Sequence, residues 1–357
     1  MTVISREIIN KDLSLTIFKD SKNIKKFNYD EVINLIDCAK TFLVNERNAK
    51  TNDKVLICPC DFYIPWFFAC AELGLTFLVS LSHNPKDYKQ VNDQYGHIDH
   101  VIVPHIEYFS NIAEQYANVE FDADVLKIYS DTSCKEDFWS TKDSILTLSI
   151  SETNVNSYNP AQHSHPHWFY YQLLERNIRV LKLTSSDKCM HSKILHHGSS
   201  LGIFFLPTIK HCSIHYWALE HSDWHNLIVN EQINRCLFMY YDIITFPAKL
   251  AKRVTDLSNL TIYTLRSPSP KDVDYLVKKC NATITSMFGT TITSGPVFLQ
   301  EVNLSNCDTY DKGNFGKPLD EYYQLCLTEG RLTIKTFGKT VITPDYFKIV
   351  NNEFYFI

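Results

Sequence analysis

The feature that most constrains the fold is a repeated alternation of amphipathic helices and short apolar runs. In "FNYDEVINLIDCAKTFLVNERNAKTNDKVLICPC" apolar side chains recur at steps of three and four residues, and a polar turn then leads into "KVLIC". The stretch "DFYIPWFFACAELGLTFLVSL" repeats this order, and "HIDHVIVPH" adds another apolar run between polar residues. Continuously apolar strands that alternate with helices are typical of mostly parallel sheets covered by helices. We therefore predict a layered α/β fold.

The alternation restarts in the second half and then fades. Strand candidates are "NIRVLKL", "RCLFMYYDII" and "NLTIYTL", and Ser269 and Pro270 predict the start of a helix in "SPKDVDYLVKKC". From Pro296 onward, short alternating runs such as "RLTIKT" are separated by glycines, which predicts a small β-rich module. The polar stretch "SETNVNSYNPAQHSHPH" has the composition of a linker. We expect α/β subdomains at residues 1–170 and 171–300, followed by the β-rich module at 301–357.

Composition excludes several classes of protein. The 357 residues include 35 basic and 40 acidic side chains, giving a net charge of −5, and no segment concentrates lysine and arginine as a nucleic-acid-binding surface does. The longest apolar stretch, residues 66–81, is interrupted by Glu72 and Gly74 and is shorter than the ~20 residues that span a membrane. Eleven scattered cysteines and no secretory signal indicate reduced thiols in the cytoplasm.

Three alternating histidines allow two interpretations. His163, His165 and His167 in "HSHPHW" could line one face of a strand as metal ligands. The alternative is a polar loop, which we favour because no carboxylate or cysteine stands at ligand spacing from them.

The segment "MFGTTITSG", residues 287–295, follows a β-leaning run and concentrates glycine and hydroxyl side chains. Glycine lets a backbone approach a ligand closely, and hydroxyls donate hydrogen bonds to phosphate oxygens. The segment resembles the Tyr-Gly-x-Thr-Glu motif of the adenylate-forming superfamily, which comprises acyl-CoA synthetases and peptide-synthetase adenylation domains. Phe288 stands at the tyrosine, Gly289 and Thr291 are retained, and Ile292 replaces the glutamate. Earlier residues also match the opening of that family, namely Tyr29, Asp53, Lys54, Val55, Ala69, Leu73 and Gly74.

This resemblance implies the large domain of an adenylate-forming enzyme and a site for ATP or AMP. Phe288, Gly289, Thr290 and Thr291 would contact the nucleotide, with Thr291 in a catalytic role. In the family the glutamate binds Mg²⁺, so Ile292 removes a metal ligand, and we consider Glu301 as a substitute.

The phosphate loop of the family has its nearest match in "LTSSDKCMHSKILHHGSS". Thr184, Ser185 and Ser186 would bind phosphate, and Lys193, shifted by one residue from the lysine that ends the family's loop, would have a catalytic role, although the glycines of that loop are missing. Asp187 would repel a phosphate, and Lys188 and Lys193 would offset that repulsion. A solvated charged loop is the alternative.

The resemblance continues to the end of the chain. Trp224 and His225 would lie beside the carboxylate substrate, the alternative being a buried aromatic residue next to a histidine with satisfied hydrogen bonds. "GNFGKPL" resembles the family's linker into its β-rich module, and Asp345 in "VITPDYF" would bind the ribose hydroxyls, an exposed turn aspartate being the alternative. Pro344 replaces the glycine that the family has there. We expect the family's mobile C-terminal domain to be absent.

The function implied is the ATP-dependent activation of a small carboxylate as an acyl- or aminoacyl-adenylate, with a separate lid or carrier protein as a partner. A second hypothesis keeps the fold and a binding site but no turnover. Losses of the loop glycines, the metal glutamate and the C-terminal domain would all act on the same charged transition state.

Overall fold

The architecture comes from a computed structural model of the chain. It describes residues 3–18, 24–57, 63–79, 95–102, 139–150, 162–191, 200–218, 224–238, 256–265, 267–290, 293–319, 322–336 and 339–357.

Within the described residues, strands and helices alternate in the first two thirds and strands dominate the last third. The strands are β1 (Ser14–Phe18), β2 (Ile24–Asn28), β3 (Lys54–Ile57), β4 (Thr76–Val79), β5 (His100–Ile102), β6 (Ile145–Ile150), β7 (Gln162–Pro166), β8 (Lys188–His191), β9 (Ile214–Ala218), β10 (Arg235–Phe238), β11 (Thr261–Thr264), β12 (Thr283–Phe288), β13 (Phe298–Val302), β14 (Asn314–Gly316), β15 (Gln324–Thr328), β16 (Arg331–Thr336), β17 (Lys339–Val350) and β18 (Glu353–Phe356). The helices are α1 (Tyr29–Asn45), α2 (Tyr63–Glu72), α3 (His167–Val180), α4 (Leu206–His211), α5 (Trp224–Asn230) and α6 (Pro270–Asp272). A π-helical stretch Ser200–Phe205 leads into α4, and another, Val273–Lys279, continues α6.

Eight strands form the largest sheet, in the order β13-β12-β11-β10-β8-β9-β1-β2. The six inner strands run parallel, and the two outer strands, β13 and β2, pair antiparallel. Because the inner strands share one direction, their carboxyl ends meet at one edge of the sheet, which we call the carboxyl edge. The opposite edge, where these strands begin, is the amino edge. Ligand sites of parallel sheets lie beyond the carboxyl ends of the strands.

A second sheet, of order β5-β3-β4-β6-β7, lies on the other side of a helical layer. Its first four strands are parallel and β7 is antiparallel. One continuous core contains residues of β1, of β3, β4 and β6, and of the four helices α1 to α4. The two sheets therefore sandwich helices whose apolar faces they both cover.

The last third forms a five-stranded antiparallel sheet, β14-β18-β17-β16-β15. Its core is aromatic, with Phe315, Phe347 and Phe354 buried against Phe298 of β13. This β module therefore packs on the outer strand of the eight-stranded sheet. The predicted fold class, layered α/β with mostly parallel sheets and a small β-rich module, is confirmed.

Several local expectations need correction. "NIRVLKL" is not a strand, because residues up to Val180 complete α3 and Lys182 turns with a positive φ of 53°. The expected boundaries at 170 and 300 fall inside α3 and β13, and β1 and β2 belong to the sheet that later residues build. The helix start at Ser269 is confirmed, since its side chain and that of Asp272 cap each other's backbone.

The histidine-rich segment is not a polar loop. His163 and His165 lie on β7, paired with β6, and His167 begins α3. His165 and His167 are buried. No group of three potential metal ligands occurs among the described residues. In the same part of the chain, no helix has the length and apolarity needed to cross a membrane.

Candidate functional site

The turn between β12 and β13 lies at the carboxyl edge and is closed by its own hydrogen bonds. The Thr290 N–H donates to Thr293 Oγ1 at 2.9 Å, and Thr293 Oγ1 lies 2.9 Å from both the Thr290 and Gly295 carbonyl oxygens. The Val297 N–H donates to the Phe288 carbonyl at 2.7 Å and completes the turn. We call the described residues of this stretch, 289–290 and 293–296, the β12 turn.

Gly289 is required by the closure of this turn. A Cβ atom at Gly289 would lie 2.4 Å from the Gly295 carbonyl oxygen, a distance that no side chain tolerates. From the sequence we expected this glycine to allow the close approach of a ligand. In the structure the close approach is made by the backbone on the other side of the turn.

Phe288, the last residue of β12, joins the turn to the β module. Its ring is half-buried and lies 5.2 Å from the ring of Phe315 and 5.4 Å from that of Phe347. Aromatic pairs at these separations are favourable beyond the area they bury. The contact fixes the start of the β12 turn against β17.

A β-bulge places Asp345 close to this contact. Between β16 and β17, Arg331 pairs with Tyr346 and Thr333 with Ile342, so three residues of β17, Thr343, Pro344 and Asp345, oppose one residue of β16. Bulges of this kind redirect side chains and are frequent beside active sites. Asp345 is thus not in an exposed turn: it is half-buried in a strand, two residues before Phe347.

The Asp345 carboxylate has the properties of a ligand-binding group. Burial raises the pKa of Asp345 above its ordinary value. Among the described residues none donates a hydrogen bond to its carboxylate, and Thr343 Oγ1 accepts from the Asp345 backbone N–H at 3.3 Å. A half-buried carboxylate without donors is costly unless a ligand supplies them. The Thr290 hydroxyl is also buried without a partner in the described part of the chain.

Trp224 and His225 begin α5, which follows β9 and therefore starts at the carboxyl edge. Trp224 is 2 % exposed, and its ring stacks on Phe238, the last residue of β10, with centroids 5.2 Å apart. The structure therefore supports the buried aromatic alternative for Trp224. His225, half-buried, is the residue of the pair that remains able to meet a substrate.

The Thr184 segment lies at the wrong edge of the sheet for a phosphate loop. Thr184, Ser185 and Ser186 precede β8, whereas Phe288 ends the parallel strand β12, so the two segments stand at opposite edges. Asp187 explains this local structure. Its carboxylate accepts from the Thr184 N–H at 2.8 Å and from Asn234 Nδ2 at 2.9 Å, and it pairs with Arg235 at 3.2 Å. The segment is a structural connection at the amino edge.

Other expectations concern residues that the structure does not describe, and Glu301, which it does. Lys193, Thr291 and Ile292 lie outside the described residues. Glu301 is described and does not reach the β12 turn. It pairs with Thr285 in the strand register, three positions back from Phe288, and its carboxylate binds Lys182 at 3.2 Å. It is therefore not the substitute metal ligand that the sequence analysis considered.

A buried set of side chains behind the β12 turn was missed by the sequence analysis. Arg176 of α3 donates through Nη2 to the Pro296 carbonyl at 2.7 Å, and the Tyr323 hydroxyl donates to the Thr293 carbonyl at 3.2 Å. Asn177 Nδ2 donates to the Gly202 carbonyl at 2.9 Å. One signal was available: Arg176 follows Phe169 and Leu173 by seven and three residues, which places a charge on the apolar face of a helix.

Of the comparisons with known proteins, the one with solved structures finds similar folds. No protein-family model matches the sequence, and no curated protein matches it either. Among solved structures, the chain is similar to the adenylation domain of a keto acid-selecting NRPS module bound to keto acyl adenylate. The TM-score is 0.80 at 12 % identity, and the match covers 98 % of this chain and 81 % of that one.

Two further structures show the same likeness. McyG A-PCP complexed with phenylalanyl-adenylate matches with a TM-score of 0.77 at 13 % identity, over 99 % of this chain and 75 % of that one. A Mycobacterium tuberculosis fatty acyl CoA synthetase matches with a TM-score of 0.76 at 12 % identity, over 96 % of this chain and 74 % of that one. The chain therefore has the fold of the adenylate-forming enzymes, as its motifs predict.

Proposed function

We propose that this chain binds ATP at the carboxyl edge of its eight-stranded sheet and activates a small carboxylate as an acyl- or aminoacyl-adenylate. The observation that carries the proposal is the contact of Phe288 with Phe347, which puts the β12 turn beside the bulge that holds Asp345. Two segments that the sequence likens to nucleotide-binding motifs thus meet in space, although some 55 residues separate them along the chain.

Each group at this place suits part of a nucleotide. The Asp345 carboxylate accepts hydrogen bonds from the two ribose hydroxyls. These hydroxyls replace the hydrogen bonds with water that the carboxylate loses through burial. The exposed part of the Phe288 ring offers a flat apolar surface to the adenine base. Thr290 and Thr291 offer hydroxyls to the α-phosphate, and Lys193 is kept as a cation for the phosphates.

The proposed chemistry is a single displacement at phosphorus. A carboxylate oxygen of the substrate attacks the α-phosphorus of ATP, the bond from that phosphorus to the bridging oxygen of pyrophosphate breaks, and pyrophosphate leaves with the electron pair. The products are an acyl-adenylate and pyrophosphate, and no oxidant or reductant is needed. The protein contributes orientation of the two reactants and neutralisation of charge. His225 is proposed as the contact on the carboxylate side, with Trp224 buried beside it as a packing residue.

Mg²⁺ does not fit the described residues as a protein-held metal. The β12 turn carries no carboxylate, because Ile292 stands at the position of the family's glutamate and Glu301 is bound to Lys182. We therefore propose that any Mg²⁺ enters bound to the phosphates of ATP, and we assign it no protein ligand.

Exchange of radiolabel between pyrophosphate and ATP tests this function. The full chain is assayed with a panel of amino, aryl and fatty acids, and exchange that depends on one of these acids is expected. It should fall at least ~10-fold in Asp345→Asn, by analogy with the loss of one charged hydrogen-bond partner. Asp308→Asn, at an exposed position remote from the turn, is the matched control. Silence across the panel, together with the absence of ATP binding, would refute the proposal.

A second candidate function is a binding protein that has lost turnover. Ile292 favours it, because the family's metal ligand is lost at that position, and so does the Thr184 segment, which stands at the amino edge instead of facing the turn. This candidate predicts ATP or AMP binding that depends on Asp345, with no pyrophosphate exchange for any acid. We also propose a carrier or lid protein as the partner that receives the acyl group. Adding such a protein should raise turnover of the enzyme and leave the inactive binder silent.

A further inference from the structure

Three separate elements meet behind the β12 turn and leave it little freedom. Arg176 belongs to α3, Gly202 to the π-helical stretch before α4, and Tyr323 to the segment leading into β15. Each is within contact distance of the turn. A Cβ atom at Gly202 would lie 2.6 Å from the Ser294 carbonyl oxygen, so Gly202 and Ser294 already touch through their backbones.

The Arg176 guanidinium is the centre of this arrangement. It is 1 % exposed, and Nη2 donates to the Pro296 carbonyl at 2.7 Å, while Nη1 donates to Asn177 Oδ1 at 3.0 Å. The ring of Tyr323 covers it at 4.8 Å from the ring centroid, a separation typical of a cation–π contact. A planar, multiply donating group in a buried pocket fixes its acceptors more firmly than a lysine would.

Tyr323 acts on the same turn from the other side. Its hydroxyl donates to the Thr293 carbonyl at 3.2 Å. Gly295 leaves room for both groups, because a Cβ there would lie 3.1 Å from the Tyr323 hydroxyl and 3.2 Å from Arg176 Nη1. The carbonyls of Thr293 and Pro296 are thus held by one helix of the central layer and by one residue of the β module.

We propose that Arg176 and Tyr323 form a clamp that positions the β12 turn for the nucleotide. The clamp is distinct from the groups that would touch ATP, since it binds backbone carbonyls on the far side of the turn. It also links the position of the β module, and with it Asp345, to that of α3. The inference rests on the proposed function, because the turn it positions is the proposed nucleotide site.

The proposal has a local consequence that can be measured without any ligand. The Thr293 and Ser294 N–H groups both donate to the Thr290 carbonyl, at 3.0 and 3.2 Å. If the clamp holds the turn, its removal lets these amides open more often, while amides of the remote strand β4 keep their protection. Destabilisation of the whole fold would raise exchange in both places.

The test combines amide hydrogen exchange and calorimetric ATP binding on the full chain. Tyr323→Phe removes only the hydroxyl. Arg176→Lys keeps the positive charge and removes the planar guanidinium with its two donating nitrogens. Tyr275→Phe, in the π-helical stretch Val273–Lys279, and Arg179→Lys, at an exposed position of α3, are the matched controls. In both clamp variants we expect exchange at Thr293 and Ser294 to quicken ~5–10-fold and the Kd for ATP to rise by a similar factor, as for one lost hydrogen bond.

Three results would overturn the inference. Unchanged exchange at Thr293 and Ser294 in both clamp variants means that no clamp exists. Faster local exchange with an unchanged Kd for ATP means that the clamp does not position the nucleotide site, and the proposed function then stands without it. A wild-type protein that binds no ATP refutes the proposed function and, with it, the role given to Arg176 and Tyr323.

Discussion

At the scale of the residue, Asp345 combines a cost in stability with a use in binding. Burial raises its pKa, so the folded state disfavours the ionised carboxylate. Because the pKa of Asp345 is higher in the folded state, protonation of this carboxyl group stabilises the folded protein. This stabilisation is fully present below the unfolded pKa of about 3.8 and is lost as the pH rises through the pKa of the folded state. Asp345→Asn should therefore leave the Tm at pH 7 unchanged or higher, while it weakens ATP binding at least ~10-fold. Thermal melts of this variant measure the change in Tm, and calorimetry measures the change in the Kd for ATP. A lower Tm would show that Asp345 is a structural residue.

Single residues also mark the limit of what the sequence could predict. Phe288 and Asp345 were proposed from motifs with short fixed spacings, and in the structure Phe288 contacts Phe347, two residues after Asp345. Thr184 was misplaced because three consecutive hydroxyl residues occur as readily before a strand as after one, and only the strand direction separates the two cases. Arg176 and Tyr323 were missed because their partners are backbone carbonyls more than a hundred residues and thirty residues away in the chain.

At the scale of the element, the β12 turn depends on Gly289. A methyl group there would collide with the Gly295 carbonyl at 2.4 Å, so Gly289→Ala must open the turn. We expect this variant to lose ATP binding and to be destabilised by about 2 kcal/mol, in the range for overpacking a tight contact. Gly313→Ala is the control, because the nearest atom would lie 3.4 Å from its Cβ and its φ is not in the left-handed region. Chemical denaturation measures the free energy of unfolding of both variants, and calorimetry measures their ATP binding. Equal stability and equal ATP binding of the two variants would contradict the role of Gly289.

The elements themselves followed from periodicity wherever a segment buries one face. α1 and β3 lie where their apolar spacing predicts, and Asn28 caps α1 through a reciprocal contact with Glu31. From the sequence, the last residues of α3 resemble a strand, because polar and apolar side chains nearly alternate in "NIRVLKL". Packing of these residues against the core as the end of a helix decided otherwise. The bulge at Thr343–Asp345 had no signal beyond the proline, because a bulge depends on the register of two strands.

At the scale of the whole molecule, three buried histidines make stability depend on pH. Burial lowers the pKa of His167 and of His215 to about 4, and that of His191 also falls well below its ordinary value. These groups are neutral in the folded state: His167 Nδ1 accepts from the Ile4 N–H at 3.0 Å, and His191 and His215 lie 3.0 Å apart, nitrogen to nitrogen. Their stabilising effect is complete above the unfolded pKa of about 6.5 and is lost as the pH falls toward 4.

We therefore expect the free energy of unfolding to decline steadily from pH 6.5 to pH 4. His167→Asn should flatten part of this decline, because the asparagine oxygen can accept from the Ile4 N–H and takes up no proton. His97→Asn, at a largely exposed side chain, is the control and should leave the profile unchanged. Urea denaturation across this pH range measures the slope. A flat profile for the wild type would show that the buried histidines do not govern acid stability.

The most direct test of the account is a crystal structure of the full chain with AMP. The account predicts the ribose hydroxyls within about 3.2 Å of the Asp345 carboxylate, with the adenine against the Phe288 ring and the phosphate at the hydroxyls of the β12 turn. AMP bound at the amino edge near Thr184, or crystals that take up no AMP at millimolar concentration, would contradict it.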